Sequence, residues 1–236
     1  MTRVALVTGA AGAIGQATMK AFREAGYAVV GADRRPGSDV QGDLADATAA
    51  RAAVDAAVDR HGRLDAVVAA HGISGRSLGD GPVADCTEEA WDAVLAANLR
   101  SVYLLSRFAV PRLIEAGGGA FVAVGSVLGL VGGGDDFATH AYAASKAGLV
   151  GLIRAIAVTY ARDGVRANVV APGLIATPMS ARAQDDAGVR SRLPELQPLT
   201  GDFGRPEDVA QAALYLAQAE FATGTVLAVD GGWTAK

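Results

Sequence analysis

The sequence predicts an α/β fold in which about seven parallel strands form a doubly wound sheet with helices on both faces. Short apolar runs of strand length alternate with longer helical patterns from one end of the chain to the other. This alternation is typical of repeated strand–helix–strand units, whose strands run parallel. The 30 glycines cluster where these segments end, and no linker or change of composition divides the chain. Residues 1–236 are therefore expected to form one domain.

Composition restricts the possible function classes. Hydrophobic residues make up 51% of the chain and charged residues 19%, which is typical of a folded globular protein. The net charge of −4 and the lack of a basic stripe predict no nucleic-acid partner. Cys86 is the single cysteine, which excludes an internal disulfide and favours a reducing compartment. No signal peptide and no apolar run of about 18 residues is apparent, so the sequence predicts a cytoplasmic protein without a membrane span.

The first elements predict a dinucleotide site. Residues 3–8 form an apolar strand, residues 9–15 a glycine-rich turn that opens a helix, and residues 27–32 a second strand that leads into Asp33. Glycines in such a turn let the backbone approach a pyrophosphate, which then lies at the positive N-terminus of the helix. The acidic residue after the second strand can accept hydrogen bonds from a ribose hydroxyl. An ordinary tight turn between strand and helix is the structural alternative.

The choice between NAD and NADP depends on three adjacent residues. Asp33 repels a ribose 2′-phosphate and so favours NAD. Arg34 and Arg35 follow it directly, and either side chain can pair with a phosphate or stack on adenine. NAD is the predicted cofactor, with NADP as the less favoured alternative.

The middle of the chain continues the alternation of strands and helices. Residues 40–44 predict a short third strand, in which Asp43 has two interpretations. It faces the adenine, or it caps the helix predicted over residues 46–61. Residues 63–70 predict a fourth buried strand, and residues 73–86 a glycine-rich loop.

Thr87 and the two glutamates that follow it predict the start of a long helix. Asn98 falls in the middle of this helix, on or near its apolar face. A buried amide must be hydrogen-bonded, so Asn98 is either a structural clasp or part of a site. The apolar residues expected on the buried side are Trp91, Val94, Leu95, Leu99, Val102, Leu105, Phe108 and Leu113.

The second half of the chain carries the candidate catalytic residues. Residues 120–125 predict a strand with Ser126 at its C-terminal end, where open parallel sheets bind ligands. A helix predicted over residues 142–161 places Tyr142 and Lys146 one turn apart on one face. A cation this close lowers the pKa of the phenol toward the range in which it exchanges a proton with an alcohol or carbonyl oxygen. The same spacing also occurs on many solvated helices that have no catalytic role.

The remaining segments complete the predicted sheet. Residues 165–171 and 225–229 predict two further strands, and Pro206 is expected at the first position of a helix, with acidic residues behind it. Residues 174–205 contain several prolines and show no clear periodicity. This segment is expected to be irregular and to form a mobile lid over a substrate site.

Together these features resemble the short-chain dehydrogenases/reductases, a family with a single Rossmann-type domain. The turn over residues 8–15 is similar to the family's cofactor turn, and Ser126, Tyr142 and Lys146 match its catalytic set. The order and spacing of the matches extend over nearly the whole chain. The further matches are Asn98, Pro172, Gly173, Thr177 and residues 230–232.

The resemblance implies hydride transfer between a nicotinamide and a secondary alcohol or ketone. Tyr142 is implied as the acid/base, Ser126 as the group that orients the substrate oxygen, and Lys146 as the group that lowers the pKa of the tyrosine. Asn98 is implied to hold a water that links Lys146 to solvent. The expected cofactor-binding residues are Gly9, Gly12, Ala13, Ile14, Gly15, Asp33, Asp43, Leu44, Gly72, Tyr142, Lys146, Pro172, Gly173, Ile175 and Thr177. The expected substrate-binding residues are Ser126, Leu128, His140 and Met179.

The sequence departs from the family pattern at three places. Ala13 stands where the family turn usually has a glycine, and its methyl group is small enough for the turn to persist. Residues 69–72 replace an Asn-Asn-Ala-Gly motif, so His71 either substitutes for the missing amides or simply packs. The segment before Tyr142 is longer than usual, and its residues 132–136 are expected at the substrate mouth or at a subunit edge.

The substrate and the assembly are the least specified by sequence. A sugar, a cyclic diol, a steroid-like ketone and a 3-oxoacyl thioester remain open as substrates, and the acidic net charge disfavours an acidic carrier protein. The resemblance implies a homodimer or a homotetramer that pairs the helices over residues 91–113 and 142–161.

Rival functions are less favoured. The histidines His61, His71 and His140 are scattered and form no ligand motif, so no metal site is predicted. No G-x-S-x-G motif surrounds Ser126, which disfavours a serine hydrolase. A non-catalytic nucleotide-binding or sensing protein on the same fold is the main alternative. An epimerase or dehydratase with tightly held NAD is another, although such relatives generally carry a longer substrate domain.

Overall fold

The computed structural model describes residues 2–235 and contains a seven-stranded parallel sheet. The strands lie in the order β3-β2-β1-β4-β5-β6-β7, so the chain reverses its direction of winding between β1 and β4. This arrangement confirms the predicted doubly wound α/β fold. The strands are β1 (Val4–Thr8), β2 (Ala28–Asp33), β3 (Val40–Gln41), β4 (Ala66–Ala69), β5 (Gly119–Val124), β6 (Val165–Pro172) and β7 (Val226–Val229).

Among residues 2–235, eight α-helices connect and cover these strands. A π-helical turn over Ala96–Arg100 joins the third and fourth helices, so the long helix expected after Thr87 is continuous but not regular. The helices are α1 (Ala13–Glu24), α2 (Ala47–His61), α3 (Glu88–Leu95), α4 (Ser101–Glu115), α5 (His140–Thr159), α6 (Ala181–Asp185), α7 (Ala187–Leu196) and α8 (Pro206–Gln218).

The two faces of the sheet bury two separate cores. Helices α2, α4 and α5 cover one face, and α1 and α8 cover the other. Successive side chains of a strand point to opposite faces, so Leu6 of β1 lies in the first core and Val7 in the second. Both are completely buried, and each such side chain contributes about 1.5–3 kcal/mol relative to exposure. Strands that are covered on both faces explain the continuous apolar runs in the sequence.

The helix starts confirm two sequence predictions and correct a third. The Thr87 hydroxyl accepts a hydrogen bond from the backbone N–H of Ala90 at 3.1 Å, and Pro206 occupies the first position of α8. The cap of α2 is Asp46, which accepts from two backbone N–H groups, so the interpretation of Asp43 as this cap is wrong. Asp43 lies too early in the chain to reach those groups and instead accepts from the backbone N–H of Ala45 at 2.9 Å.

Two predictions about packing are also corrected. The segment expected to be irregular over residues 174–205 contains α6 and α7. In α7 the side chains of Val189, Leu193 and Leu196 are buried at helical spacing. Trp91 was expected on the buried side of α3, but it is 39% exposed, because the buried face passes through Ala90 and Val94.

Two helical stretches, Glu88–Glu115 and His140–Thr159, are long and apolar enough to cross a membrane by length and composition alone. The sequence predicts no such span. About half of each stretch is buried inside the fold, where α4 and α5 pack on the sheet. A core helix of a folded domain passes the same test of length and hydropathy, so this finding is weak evidence for a membrane span.

Candidate active site

Two adjoining cavities open at the carboxyl ends of the strands, where the winding of the sheet reverses. The cavity over the glycine turn has a volume of about 440 Å³, and the cavity beyond β5 has about 550 Å³. Open parallel sheets bind ligands at this edge. The residues that line both cavities are Ile14, Ala70, His71, Gly72, Ser74, Thr177, Pro178 and Met179.

The glycine turn leaves a cradle that side chains would fill. Gly9 has a φ of 70°, and its carbonyl oxygen accepts from the backbone N–H of Gly12 at 2.9 Å. A Cβ on Gly15 would lie 2.0 Å from that same oxygen, so no larger residue fits there. Ala13 is the first residue of α1, and the turn keeps its hydrogen bonds with a methyl group at this position. A bare backbone at a helix N-terminus suits a pyrophosphate.

Asp33 lies at the end of β2, beside this turn, with both carboxylate oxygens engaged. It accepts from the backbone N–H of Ala11 at 3.0 Å and of Arg35 at 2.9 Å, and the Arg35 side chain adds an ion pair at 3.3 Å. Burial alone would raise the pKa of Asp33, but the hydrogen bonds from Arg35 and Ala11 outweigh it and hold the pKa below its ordinary value. Asp33 is therefore ionised at neutral pH. Asp43 and Leu44, which the sequence predicts as cofactor-binding residues, also line the cavity around it.

His71 connects the ends of two strands to α4. One ring nitrogen lies 2.6 Å from the Thr8 hydroxyl, and the other lies 2.8 Å from the Ser101 hydroxyl. Burial, with the charge of Lys146 as the second cause, lowers the pKa of His71 to about 4. His71 is thus neutral near pH 7 and hydrogen-bonded at both nitrogens. Of the two interpretations of this residue, the structure supports substitution for the missing amides over simple packing.

Ser126, Tyr142 and Lys146 converge on the larger cavity. The Lys146 ammonium donates to the carbonyl oxygen of Val124 at 2.8 Å and lies 5.6 Å from the centre of the Tyr142 ring. Burial lowers the pKa of Lys146 to about 8. Burial also raises the pKa of Tyr142, whereas a hydrogen bond with Ser126 lowers it. The net pKa of the phenol is above its ordinary value, which is opposite to the lowering by Lys146 expected from sequence, because desolvation outweighs the favourable contacts.

Asn98 lies in the π-helical turn between α3 and α4 and is completely buried. Its amide oxygen accepts from the backbone N–H of Ile73 at 2.8 Å, and its nitrogen donates to the Ile73 carbonyl at 2.9 Å and to Ser145 at 3.1 Å. Asn98 therefore clasps the loop after β4 onto α5. A Cβ on Gly72 would lie 2.9 Å from the Asn98 oxygen and 3.6 Å from the Lys146 nitrogen, so Asn98 lies directly behind the cavity wall that Gly72 and Lys146 form.

The segment after β6 supplies the other side of the cavities. Pro172 ends β6, and the next residues line the larger cavity, with Thr177 at the boundary of the two. A Cβ on Gly173 would lie 2.3 Å from the side-chain oxygen of Gln197 and 3.0 Å from the Cα of Asp230, so a side chain here would force Gln197 to move. The cofactor residues predicted in this segment, Pro172, Gly173, Ile175 and Thr177, all line the larger cavity.

The predicted substrate residues are placed in the larger cavity with one exception. Ser126, Leu128 and Met179 line it, but His140 does not. His140 is the exposed first residue of α5. It lies two residues before Tyr142, and two residues correspond to about 200° around a helix, so the side chains leave from opposite sides.

Sequence reasoning missed several residues around the same cavity. Asp80 is buried in the loop after β4 and accepts from the backbone N–H groups of Ala141 and Tyr142 at 3.0 and 2.9 Å. It caps the helix that carries Tyr142 and Lys146 from about sixty residues away, and no local pattern signals such a contact. Other missed residues that line the cavity are Arg76, Arg182 and Trp233.

The family model described as enoyl-(acyl carrier protein) reductase, of the short-chain alcohol dehydrogenase type, matches residues 9–234. The chain belongs to the short-chain dehydrogenase/reductase family. Members of this family use NAD(H) or NADP(H). The glycine cradle and the ionised Asp33 are consistent with such a nucleotide.

Several relatives of this short-chain dehydrogenase/reductase are named as dehydrogenases or reductases. It is 40% identical to the cis-4-hydroxycyclohexanecarboxylate dehydrogenase of Sinomonas cyclohexanicum, over 99% of this chain and 97% of the relative. It is 35% identical to a 3-oxoacyl-(acyl-carrier-protein) reductase of Thermotoga maritima, over 98% and 97%. The crystal structure of a family oxidoreductase from Burkholderia thailandensis has a TM-score of 0.87 and 36% identity, covering 100% of this chain and 94% of that one.

Proposed function

We propose that the protein is an NAD(P)-dependent short-chain alcohol dehydrogenase or ketoreductase that interconverts a secondary alcohol and a ketone. The observation that carries this proposal is the convergence of Ser126, Tyr142 and Lys146 on a cavity that adjoins a glycine-lined nucleotide cleft. A tyrosine at a cavity wall, beside a serine that lowers its pKa and close to a buried lysine, suits proton exchange with a substrate oxygen. The named activities of the relatives support the same reaction class.

Tyr142 is the proposed acid/base. In the oxidation direction its phenolate takes the proton of the substrate hydroxyl, and in reduction the phenol returns it. Ser126 holds the substrate oxygen and stabilises the negative charge that develops on it. The nicotinamide, when bound, accepts or supplies the hydride.

Lys146 and Asn98 are proposed to complete the proton path. The buried Lys146 ammonium favours the phenolate and would hydrogen-bond the nicotinamide ribose of a bound cofactor. Its pKa of about 8 lets it exchange protons near neutral pH. The π-helical turn at Asn98 is proposed to hold a water that connects Lys146 to solvent, because such a turn frees backbone groups from their regular helical partners.

NAD is the proposed cofactor, with NADP less favoured. Asp33 is ionised beside the glycine turn, where it would accept from ribose hydroxyls and repel a 2′-phosphate. Arg35 reduces this repulsion because its guanidinium already pairs with Asp33. A strong preference of the enzyme for NADP in matched assays would contradict the proposal.

The larger cavity suits a small alicyclic or aliphatic substrate. Residues 174–205 are proposed as the lid of a single domain, because α6 and α7 pack against the loop after β5 through a small apolar cluster. A sugar, a cyclic diol and a 3-oxoacyl compound remain within the proposed range, and the name of the Sinomonas cyclohexanicum relative supports a cyclic alcohol.

The proposed assembly is a homodimer or homotetramer, because the long helices expose apolar side chains. Tyr103 of α4 is 46% exposed and Val158 of α5 is 80% exposed, which is costly for large apolar groups that remain in water. Sedimentation of the purified protein tests this assembly. The proposed compartment is the cytoplasm, because a single cysteine suits a reducing environment.

The main alternative is a non-catalytic nucleotide-binding or sensing protein on the same fold. The placement of Ser126, Tyr142 and Lys146 at one cavity, with Asn98 buried behind its wall, favours the enzyme. The deciding experiment incubates the purified protein with NAD or NADP and a panel of alcohols and sugars, and with the reduced cofactors and matching ketones. Nucleotide binding without turnover across the panel would support the alternative and contradict the proposed activity.

A further inference from the structure

Two arginines from distant segments meet at the rim of the larger cavity. Arg76 belongs to the loop between β4 and α3, and Arg182 is the second residue of α6. Both line the cavity together with Ser126 and Tyr142. A terminal guanidinium nitrogen of Arg182 donates to the backbone carbonyl oxygen of Asp136 at 2.9 Å, and one of Arg76 donates to the same oxygen at 3.3 Å. Two positive groups therefore lie side by side, where like charges repel.

The carboxylates at this rim do not neutralise both arginines. Asp186 pairs with Arg182 at 3.3 Å, and the Asp136 carboxylate pairs with Arg192. Within the described residues 2–235, no carboxylate forms an ion pair with Arg76. Its one hydrogen bond goes to an uncharged carbonyl that it shares with another cation. A negatively charged acceptor would be a stronger partner.

The surroundings of Arg76 support the same conclusion. Arg76 is exposed overall, but partial desolvation at the rim first and the charge of Arg182 second lower its pKa, so the two neighbouring cations oppose each other. Asp80 is the acidic group that raises this pKa, but its two oxygens are held by the N-terminus of α5. The guanidinium is therefore free to bind an anion that enters the cavity.

We propose that Arg76, assisted by Arg182, binds the carboxylate group of the substrate, and that the enzyme acts on small hydroxy- or oxocarboxylic acids. This assignment rests on the proposed oxidoreductase function and adds the charge of its substrate. A planar guanidinium presents two parallel N–H groups to the two oxygens of a carboxylate. The hydrocarbon between the carboxylate and the reacting carbon lies against an apolar wall formed by Val127, Leu128, Phe137, Met179 and Trp233.

The first experiment compares two substrates of the same shape. It measures kcat and KM for cis-4-hydroxycyclohexanecarboxylate and for its neutral carboxamide, with the cofactor saturating, in the wild type and in Arg76→Gln. Arg190→Gln is the matched control, because Arg190 lies on α7 outside the cavity and donates to the Gln184 carbonyl. We expect the wild type to prefer the carboxylate at least tenfold in kcat/KM. In Arg76→Gln this preference should fall by about tenfold or more, through a higher KM for the carboxylate. The value of kcat/KM for the carboxamide should change less than twofold.

Arg182→Gln and the control complete the series. Arg182→Gln should lower kcat/KM for the carboxylate less than Arg76→Gln does, because Arg182 already forms an ion pair with Asp186. Arg190→Gln should leave both substrates unchanged. Equal losses on the two substrates in Arg76→Gln would overturn the proposal, because they would indicate a structural effect. Reduction of acetoacetyl-CoA is measured with the same variants, and a loss in Arg76→Gln confined to that substrate would overturn the proposal as well, since the arginine would then serve a phosphate of the carrier.

A binding measurement separates this proposal from the proposed reaction. Equilibrium dialysis measures cyclohexanecarboxylate and cyclohexanecarboxamide on the NAD-loaded protein, without any turnover. We expect the carboxylate to bind at least tenfold more tightly than the carboxamide in the wild type, and the difference to disappear in Arg76→Gln. Equal affinity of the two ligands in the wild type would overturn the carboxylate site, whether or not the protein oxidises neutral alcohols.

Discussion

The carboxylate of Asp80 accepts a hydrogen bond from the backbone N–H of Tyr142 at 2.9 Å. Its other oxygen accepts from Ala141 at 3.0 Å, so a single buried side chain holds the first turn of α5. A negative charge at this end also interacts favourably with the helix dipole. The position of the proposed acid/base thus depends on a loop that precedes it by about sixty residues.

Removal of this cap should lower both stability and turnover. Asp80→Ala leaves two backbone donors without a partner, which costs about 2 kcal/mol and lowers Tm by roughly 4–8 °C in a chain of this size. We expect kcat to fall about tenfold, because Tyr142 loses its fixed position. Thermal melts and steady-state kinetics measure both effects. Asp85→Ala, at an exposed position in the same loop, is the control; a similar loss in that variant would contradict the specific role of Asp80.

Ser126 should affect both the rate and its pH dependence. Its hydrogen bond lowers the pKa of Tyr142, while burial raises it. Ser126→Ala therefore shifts the rising limb of alcohol oxidation to higher pH, because more alkaline conditions are needed to ionise the phenol. We expect kcat to fall by about 10²–10³ with the loss of a donor to the reacting oxygen. Ser77→Ala is the control. If the pH profile of Ser126→Ala did not shift, that result would count against the contact between Ser126 and Tyr142.

Lys146 should reduce stability at neutral pH. Burial lowers its folded-state pKa from 10.5 to about 8, so the unfolded chain binds more protons between these two values. The free energy of unfolding therefore decreases as pH falls from 10.5 through 8, because the unfolded chain protonates Lys146 more readily than the folded chain does. Lys146→Met should abolish activity yet raise the free energy of unfolding by about 1–2 kcal/mol near pH 7, after allowance for the lost hydrogen bond.

The gain from Lys146→Met should shrink as pH approaches 10.5. Chemical denaturation at pH 7 and pH 10 measures this trend. Lys20→Met, which changes a lysine whose side chain is 73% exposed, should show no such trend. A gain that is independent of pH would show that packing, and not the buried charge, is responsible.

His71 should make the fold sensitive to acid. Its folded-state pKa of about 4 lies below the ordinary 6.5, so the unfolded chain binds more protons between these values. The stability that neutral His71 contributes is fully present above pH 6.5 and is lost as pH falls toward 4. At pH 5 the free energy of unfolding should be lower by about 1–2 kcal/mol. His71→Gln keeps hydrogen-bonding groups but cannot titrate. The fall in Tm between pH 7.5 and pH 5 should be smaller in this variant, and an equal fall would contradict the assignment.

The parts of the fold that sequence predicted are those encoded locally. The strand, the glycine turn, the helix and Asp33 follow each other within about thirty residues, and the spacing of Tyr142 and Lys146 is one helical turn. The parts it missed depend on tertiary contacts. Asp80 reaches α5 across the fold, and His71 joins Thr8 to Ser101 from three different elements.

Local signals also misled in two places. Pro194 lies inside α7 and breaks the pattern expected of a helix, although the buried side chains on either side of it keep helical spacing. His140 is adjacent to the site in sequence, but the rotation of α5 turns it to solvent. The predicted direction of the Tyr142 pKa shift was wrong for a related reason. The sequence shows that Lys146 is close, but it does not show how deeply the phenol is buried.

The most direct test of the central proposal is the exchange of Tyr142 for phenylalanine. Tyr142→Phe removes the proton-exchanging oxygen and leaves the glycine turn and Asp33 unchanged. Oxidation of the best alcohol in the panel is measured together with titration of NADH binding by fluorescence. We predict no measurable turnover and a dissociation constant for NADH within about twofold of the wild type. Retention of more than about a tenth of the activity would show that Tyr142 is not the acid/base.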